Sequence, residues 1–348
     1  MGKNNADGKN WLISQAELEA WLDSISNARS LIAPRQVSGT LLYRPVSRIN
    51  EIAWPAGTPG SPLASPRPVL SIKEIFFPPT EKLFTIQKTG QEIHLEEAYP
   101  DWETVVFGVR PCDARGVKLL DALFLDTNPV DAFYARRRAN TTLIGLACKE
   151  LGPTCFCTSV GGAPDDARDV DIMLYESEAG YLAEAVTERG RFLIPAGEWR
   201  ETTDHPVSST YDGQFPVPDN GKWPQHFNDT YWTRMSERCL SCRACAYVCP
   251  TCHCFAIRDE LIGPGEFERI RCWDSCAGEN YRRLAGGQRG RPEKAERLRN
   301  RFYCKFYYYA DQTGLGNTSA CTGCGRCIDV CPVGVDITEV LQDLGRPD

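Results

Sequence analysis

Histidine is scarce in this chain, and cysteine is absent from its first 111 residues. The four histidines, His94, His205, His226 and His253, are too scattered to argue for a Ser–His–Asp arrangement. No apolar run approaches the roughly 18 residues that a membrane-spanning helix needs, so insertion into a membrane is not expected. The opening MGKNNADGKNWLISQ lacks the apolar core of a secretory signal, which makes the cytoplasm the expected compartment. No G-x-G-x-x-G follows a strand-like run and no G-x-x-x-x-G-K-[ST] occurs; G-L-G at 314–316 is too short to count. The chain therefore carries no recognisable phosphate cradle for a nucleotide. Its formal net charge of −7 excludes a general affinity for nucleic acid or anionic membranes.

What is abundant is cysteine. Seventeen occur among 348 residues, four between 112 and 157 and thirteen from Cys239 onward. Without an export signal, free thiols are expected rather than a disulfide framework. The uneven distribution suggests two functional regions, and the length suits two domains.

The sequence reads as an α+β protein. Residues 1–194 read as an α/β domain. Ser14-Q-A-Glu17 is a capping box that opens a helix through LEAWLDSI. Five prolines make 53–69 a loop. Strand-like runs follow at VLSI near 70, LFTI near 83 and VVFGV at 105–109, then the helical ARGVKLLDALFL and the buried strand TTLIGLAC. Alternating strands and helices imply a partly parallel sheet. Residues 195–230 have no sustained period and read as a linker or extended loop. Residues 231–348 read as a mainly helical two-cluster ferredoxin-type domain. It closes with a second capping signal, Asp336-I-T-Glu339, and the stop residues Gly345 and Pro347.

Two cysteine runs carry the chemistry. Cys239-x-x-Cys242-x-x-Cys245-x-x-x-Cys249-Pro250 is repeated as Cys321-x-x-Cys324-x-x-Cys327-x-x-x-Cys331-Pro332. This is the ligand pattern of two-cluster bacterial ferredoxins, in which the fourth cysteine of each run serves the other [4Fe–4S] cluster. One cluster is thus expected on Cys239, Cys242, Cys245 and Cys331, and the other on Cys321, Cys324, Cys327 and Cys249. Zinc knuckles are the competing reading, but they use paired C-x-x-C units rather than a three-plus-one run closed by proline. The runs start 82 residues apart, so a long insertion separates them. Between 282 and 305 it holds nine Lys/Arg against two acidic residues. That segment reads as a solvated face, as a dock for an acidic partner, or as an offset to anionic clusters. Arg243 and Arg326, inside the ligand loops, suit either tuning of potential or solubility.

A third iron–sulfur cluster is a weaker reading. Cys112 and Cys148 both follow strand-like runs; if those strands are parallel, both sulfurs emerge at the ligand-binding edge of the sheet. Cys155 and Cys157 follow in a short loop that can return to the same place. Buried free thiols and a zinc site are the alternatives. Cys252, Cys254 and Cys276 suggest either a further metal site or thiols shielding a cluster. His253 reads as a polar neighbour rather than a ligand. With no catalytic site of its own evident, the chain reads as an electron conduit, and a conduit requires partners.

These residues also carry a family resemblance. P-V-L-S-I-K-E-I-F-F-P-P-T-E, F-G-V-R-P-C-D-A-R-G, C-F-C-T-S-V-G, C-P-T-C-H-C-F, W-D-S-C and both ferredoxin runs resemble the beta (iron–sulfur) subunit of cytoplasmic sulfhydrogenase-type NiFe hydrogenases, over about 70–344. They are also similar to the corresponding iron–sulfur subunit of anaerobic sulfite reductase. The resemblance implies a relay between a flavin- and NAD(P)-binding reductase subunit and a catalytic hydrogenase or sulfite reductase subunit. Related subunits serve flavin-containing complexes that feed heterodisulfide-reductase-like partners. It implies roles for Cys112, Cys148, Cys155, Cys157, Cys252, Cys254 and Cys276, whereas Cys272 and Cys304 look like additions. Two other classes compete: a redox-sensing iron–sulfur regulatory protein, and a catalyst acting at the amino-terminal cysteines. The lack of a nucleic-acid module weighs against the first.

Overall fold

The structure is a computed structural model that describes residues 10–54, 67–206 and 214–346, apart from 282, 284, 285, 289 and 317. Most of the proline-rich loop expected at 53–69 lies outside the described residues. The described strands are β1 (Asn10–Ile13), β2 (Ser30–Val37), β3 (Thr40–Pro45), β4 (Thr80–Thr89), β5 (Glu92–Glu97), β6 (Thr104–Val109), β7 (Thr141–Leu146), β8 (Ile172–Ser177), β9 (Gly180–Ala185), β10 (Arg200–Thr202), β11 (Phe255–Gly263) and β12 (Glu266–Trp273). They form an eight-stranded sheet in the order β10-β1-β9-β8-β7-β6-β2-β3 and a four-stranded sheet in the order β11-β12-β4-β5.

The centre of the large sheet is parallel: β2 pairs with β6, β6 with β7 and β7 with β8 in the same sense. A parallel strand covered on both faces needs apolar residues at nearly every position, and TVVFGV is buried throughout. Alternation sends Val105 and Phe107 into one core, with Ile144, Leu146, Ile172 and Leu174, while Val106, Leu143 and Met173 enter the other. Helix α1 (Gln15–Ala28) closes the first core with Leu18, Trp21, Leu22 and Ile25, one apolar stripe at helical spacing. Its start is the capping box expected: Ser14 Oγ accepts from Glu17 N at 3.3 Å, and Glu17 returns to the Ser14 amide at 2.7 Å. Ser14→Ala is expected to cost about 1 kcal/mol, read as a fall of a few degrees in the thermal midpoint.

The run VLSI is not a strand. Ile72, Phe76 and Phe77 enter the second core from a single turn, α2 (Lys73–Phe76), which Pro78 and Pro79 end. The second core is roofed by α3 (Pro111–Phe124), the helix expected at ARGVKLLDALFL.

The carboxy-terminal region is less helical than its cysteine runs suggest. Its insertion begins with the β11–β12 hairpin, and β12 pairs with β4 from the amino-terminal half. A buried ionic network fastens this sheet to the body: Arg271 bonds Glu81 and Asp131, and Glu81 also takes Arg137. Nor is 195–230 a free tether. Trp199 is buried in the first core, β10 pairs with β1, and Trp223 stacks on Phe306 in a third core.

Candidate metal centres

The two cysteine runs fold alike. Ser241 and Gly323, each two residues past the first cysteine, have φ of 54° and 65°. Arg243 and Gly325, each four past it, have φ of 68° and 74°. Left-handed backbone at these places turns the loop so that successive sulfurs face inward. The amides of Ser241 and Gly323 donate to Cys239 Sγ at 3.3 Å and Cys321 Sγ at 3.4 Å. One-turn helices follow at Ala244–Tyr247 and Arg326–Asp329. The Val335 amide donates to Cys331 Sγ at 3.1 Å, and Cys249 Sγ lies 3.4 Å from Thr251 Oγ1.

Cys321, Cys324 and Cys327 line a cavity together with Cys249 from the other run. Cys245 and Cys252 reach the same cavity, as do Arg301 and Lys305. Cys242 is exposed, and Cys239 and Cys331 are half-buried.

A set of buried cations surrounds these thiols. Lys305 is 5% exposed, Arg301 7% and Lys73 2%, and none pairs with a carboxylate among the described residues. Lys305 donates to Thr251 Oγ1 at 2.7 Å. Lys73 reaches from α2 to the carbonyl of Cys252 at 3.1 Å and lies 3.8 Å from the centre of the Trp273 ring. Burial pulls Lys73 down to about 8. Burial also opposes the charge on Lys305, but the sulfurs of Cys249, Cys252 and Cys304 outweigh it and hold that ammonium well above its ordinary value. Burying unpaired cations is costly, so this lining calls for an anion. One free thiolate does not balance three cations: the hydrogen bond with Cys252 holds Cys249 well below its ordinary value, but burial pushes Cys321 up to about 12. A cationic metal core holding the sulfurs as thiolates, with net negative charge over the assembly, fits both facts.

The end of the basic segment turns inward, whereas Arg283 is exposed and Arg291 and Lys294 are half-buried. Arg297, Arg301 and Lys305 are buried, and Arg299 lies on the Phe227 ring. Neither a solvated face nor an acidic dock describes them; an offset to anionic clusters suits Arg301 and Lys305. Arg282 and Arg289 lie outside the described residues.

A second cavity is lined by Cys112, Cys148, Cys155 and Cys157. The topology brings them there. Because β6 and β7 run parallel, their carboxyl ends share one edge, which puts Cys112 in the first turn of α3 and Cys148 just past β7. A helix amino terminus favours a thiolate, but burial outweighs it here and pushes the free Cys112 thiol well above its ordinary value. The Cys148 amide is held by the Pro164 carbonyl at 2.8 Å, and Cys157 opens a short 3₁₀ turn, Cys157–Val160. The cavity is also cationic. Arg67 donates to Cys155 Sγ at 3.2 Å and is anchored on Asp329 at 2.5 Å. Buried Arg110 bonds the carbonyls of Leu146 and Ala147 at 3.3 and 3.1 Å.

Cys324 lines both cavities. The loop that carries it is pressed against the loop that carries Cys155 and Cys157. The Phe156 amide donates to the Gly323 carbonyl at 2.8 Å. A Cβ on Gly323 would stand 2.5 Å from Cys157 Cα, and one on Gly325 2.4 Å from the Thr154 carbonyl oxygen. Of the two readings the sequence offered for Arg326, burial rules out solubility; the residue is a structural clamp beside the Cys324 and Cys112 sulfurs. It is 2% exposed and doubly hydrogen-bonded to Asp113, at 2.6 and 2.8 Å. Arg243 stays half-exposed, 3.6 Å from Asp274.

The remaining cysteines divide. Cys254 and Cys276 lie at the mouth of the β11–β12 hairpin, where the Asp274 amide donates to the Cys254 carbonyl at 2.8 Å, and the neighbouring Cys276 sulfur lowers the Cys254 thiol to about 6. Cys272 lies within β12, and Cys304 opens the π-helical turn Cys304–Tyr308. His253 Nδ1 lies 3.2 Å from the Thr251 carbonyl, and burial lowers its pKa to about 4. Among the described residues no three Cys, His, Asp or Glu side chains close on a point as a single ion would require. Arg67, Lys73 and Asp113 were not foreseen as parts of these sites, whereas Arg301 and Lys305 fall in the segment whose charge the sequence offered, among other readings, as an offset to anionic clusters.

Comparison with known proteins agrees with this geometry. A family model described as "4Fe-4S dicluster domain" matches residues 238–335. The chain is 30% identical to sulfhydrogenase 2 subunit beta of Pyrococcus furiosus over 330 residues, covering 89% of this chain and 91% of the relative. This chain belongs to the sulfhydrogenase beta-subunit family. It is an iron–sulfur electron-transfer subunit with a 4Fe-4S dicluster domain. No solved structure matches this beta subunit. Among its described residues no helix is long and apolar enough to cross a membrane.

Proposed function

We propose that this beta subunit carries three iron–sulfur centres in a line and relays electrons through them between two partner subunits. The ligands are those read from the spacing: Cys239, Cys242, Cys245 and Cys331 at one end, and Cys321, Cys324, Cys327 and Cys249 in the middle. Cys112, Cys148, Cys155 and Cys157 make the third. A [4Fe–4S] cluster supplies one-electron storage at a potential set by its hydrogen bonds, charge and exposure. The observation that carries the proposal is Cys324, whose side chain walls both the middle cavity and the amino-terminal one.

The protein's own contribution is to hold neighbouring sulfurs at fixed separation and to supply positive charge. Arg301, Lys305 and Lys73 favour the anionic state of the middle centre, and Arg110 and Arg67 that of the amino-terminal one. The partners consistent with the family are a flavin- and NAD(P)-binding reductase subunit and a catalytic subunit. The relative's name favours a hydrogenase over a sulfite reductase or heterodisulfide-reductase-like protein. Cytoplasmic assembly accords with the free thiols.

The test is a cysteine substitution read by iron content and spectroscopy. Anoxically prepared protein should hold about twelve iron atoms, and Cys112→Ser together with Cys157→Ser should lower this to about eight. The remaining two centres should still be reduced by dithionite. About eight iron atoms in both proteins would remove the third centre. Partner identity is tested by anoxic purification from the native host, where a flavoprotein and a catalytic subunit should co-elute.

A further inference from the structure

The two ligand loops are copies of one turn in opposite surroundings. In the second run Thr322, Gly323, Cys324, Gly325 and Arg326 are all buried. The Thr154–Cys157 loop covers them: its Phe156 amide holds the Gly323 carbonyl, and its main chain leaves no room for a Cβ at either glycine. The matching positions of the first run are Leu240, Ser241, Cys242, Arg243 and Ala244. Leu240 is 64% exposed where Thr322 is 2%, and Cys242 is exposed where Cys324 is buried. The Ser241 carbonyl, counterpart of Gly323's, accepts from no donor among the described residues.

The covering loop of the second run carries Cys155 and Cys157, so the sulfur beneath it, Cys324, walls the next cavity as well as its own. Cys242 is the corresponding sulfur of the first run. By the same geometry, a loop laid over Leu240–Arg243 sets whatever cofactor it carries next to Cys242, and the line of centres continues into another molecule. The two turns differ in a way that suits a separable contact. Left-handed backbone disfavours residues other than glycine. The second run meets this with Gly323 and Gly325, whereas the first keeps Ser241 and Arg243 at φ of 54° and 68°. A Cβ at each place holds an incoming main chain farther off than the Thr154–Cys157 loop is held. Side chains then make the contact, with Leu240 as its apolar centre. A second copy of this chain has no such loop to offer, since its own is already packed on its second run.

We infer that the Leu240–Arg243 turn is the docking face for a redox partner subunit, which lays a cofactor-bearing loop over Cys242 with an apolar side chain on Leu240. The inference rests on the proposed relay and adds where the dicluster end meets its partner. The experiment uses the chain co-expressed anoxically with its partner subunits. Leu240→p-benzoylphenylalanine should crosslink on illumination to a partner peptide that carries cofactor ligands. Phe192→p-benzoylphenylalanine, at an 88% exposed site on the helix Glu188–Leu193, should not reach that peptide. Leu240→Thr, which installs the residue of the second run, should keep its iron and its reduction by dithionite while slowing electron exchange with that partner about tenfold. Leu240→Glu should slow it further. Exchange at the wild-type rate in both variants overturns the inference while the relay stands. So does a position-240 crosslink that is missing, that reaches only a peptide remote from any cofactor, or that joins a second copy of this chain. A wild-type chain that exchanges electrons with no co-purified subunit overturns the relay and the inference together.

Discussion

Asp113→Ala is expected to cost the fold about 3–5 kcal/mol, far more than the loss of a surface ion pair. Arg326 is buried, with Nη1 and Nη2 on Asp113 and Nε on the Pro68 carbonyl at 2.9 Å. Removing the carboxylate leaves a guanidinium with no compensating charge in an interior that cannot solvate it. It also takes an acceptor from Tyr43, whose hydroxyl lies 3.3 Å from Asp113 Oδ2. The damage should be local before it is global, because the pair joins Cys112's helix to the Cys321–Cys327 loop. Denaturant unfolding of anoxic protein checks the size. A double replacement, Asp113→Leu with Arg326→Met, should recover most of the loss, since an apolar pair of similar volume costs less than a half-broken ionic one. A loss below about 1 kcal/mol for Asp113→Ala would contradict this account of the clamp.

That clamp shows where sequence reading stops. The cysteine spacing was legible because ligand order in a cluster loop is local chemistry, confined to a dozen residues. The parallel centre of the sheet was legible for a similar reason: TTLIGL and TVVFGV are apolar along their length. The convergence of Cys112 and Cys148 followed from strand direction alone. The interior cations were only partly legible. A role beside anionic clusters was one reading of Arg301, Lys305 and Arg326, but the sequence does not separate them from surface charge, and the burial of Lys73 makes sense only once the sulfurs around it are placed. The β11–β12 hairpin escaped because its strands are largely exposed, so Glu, Arg and Asp interrupt the apolar alternation. VLSI misled in the opposite way: a buried apolar run of four suits a strand or a turn equally, and Pro78 and Pro79 decided for the turn.

Gly323→Ala, like Gly325→Ala, should be among the most damaging single-methyl changes in the dicluster domain, and Gly334→Ala supplies its control. Both glycines have left-handed backbone, φ 65° and 63°, so each substitution carries the same conformational cost of about 1–2 kcal/mol. They differ in what the new Cβ meets. At Gly334 nothing lies within 4 Å, whereas at Gly323 Cys157 N and Cα both lie at 2.5 Å. Backbone cannot swing aside as a flexible side chain can, so overpacking adds about 1–3 kcal/mol. The loop carrying Cys324 must then move away from the loop carrying Cys155 and Cys157. Gly323→Ala is therefore expected to lower the thermal midpoint more than Gly334→Ala and, alone of the two, to lose iron and slow electron passage between the amino-terminal and middle centres. Iron analysis with rapid-mixing reduction separates the two variants. Equal behaviour would mean that the close packing of these loops, and with it the continuity of the relay, does not hold in solution.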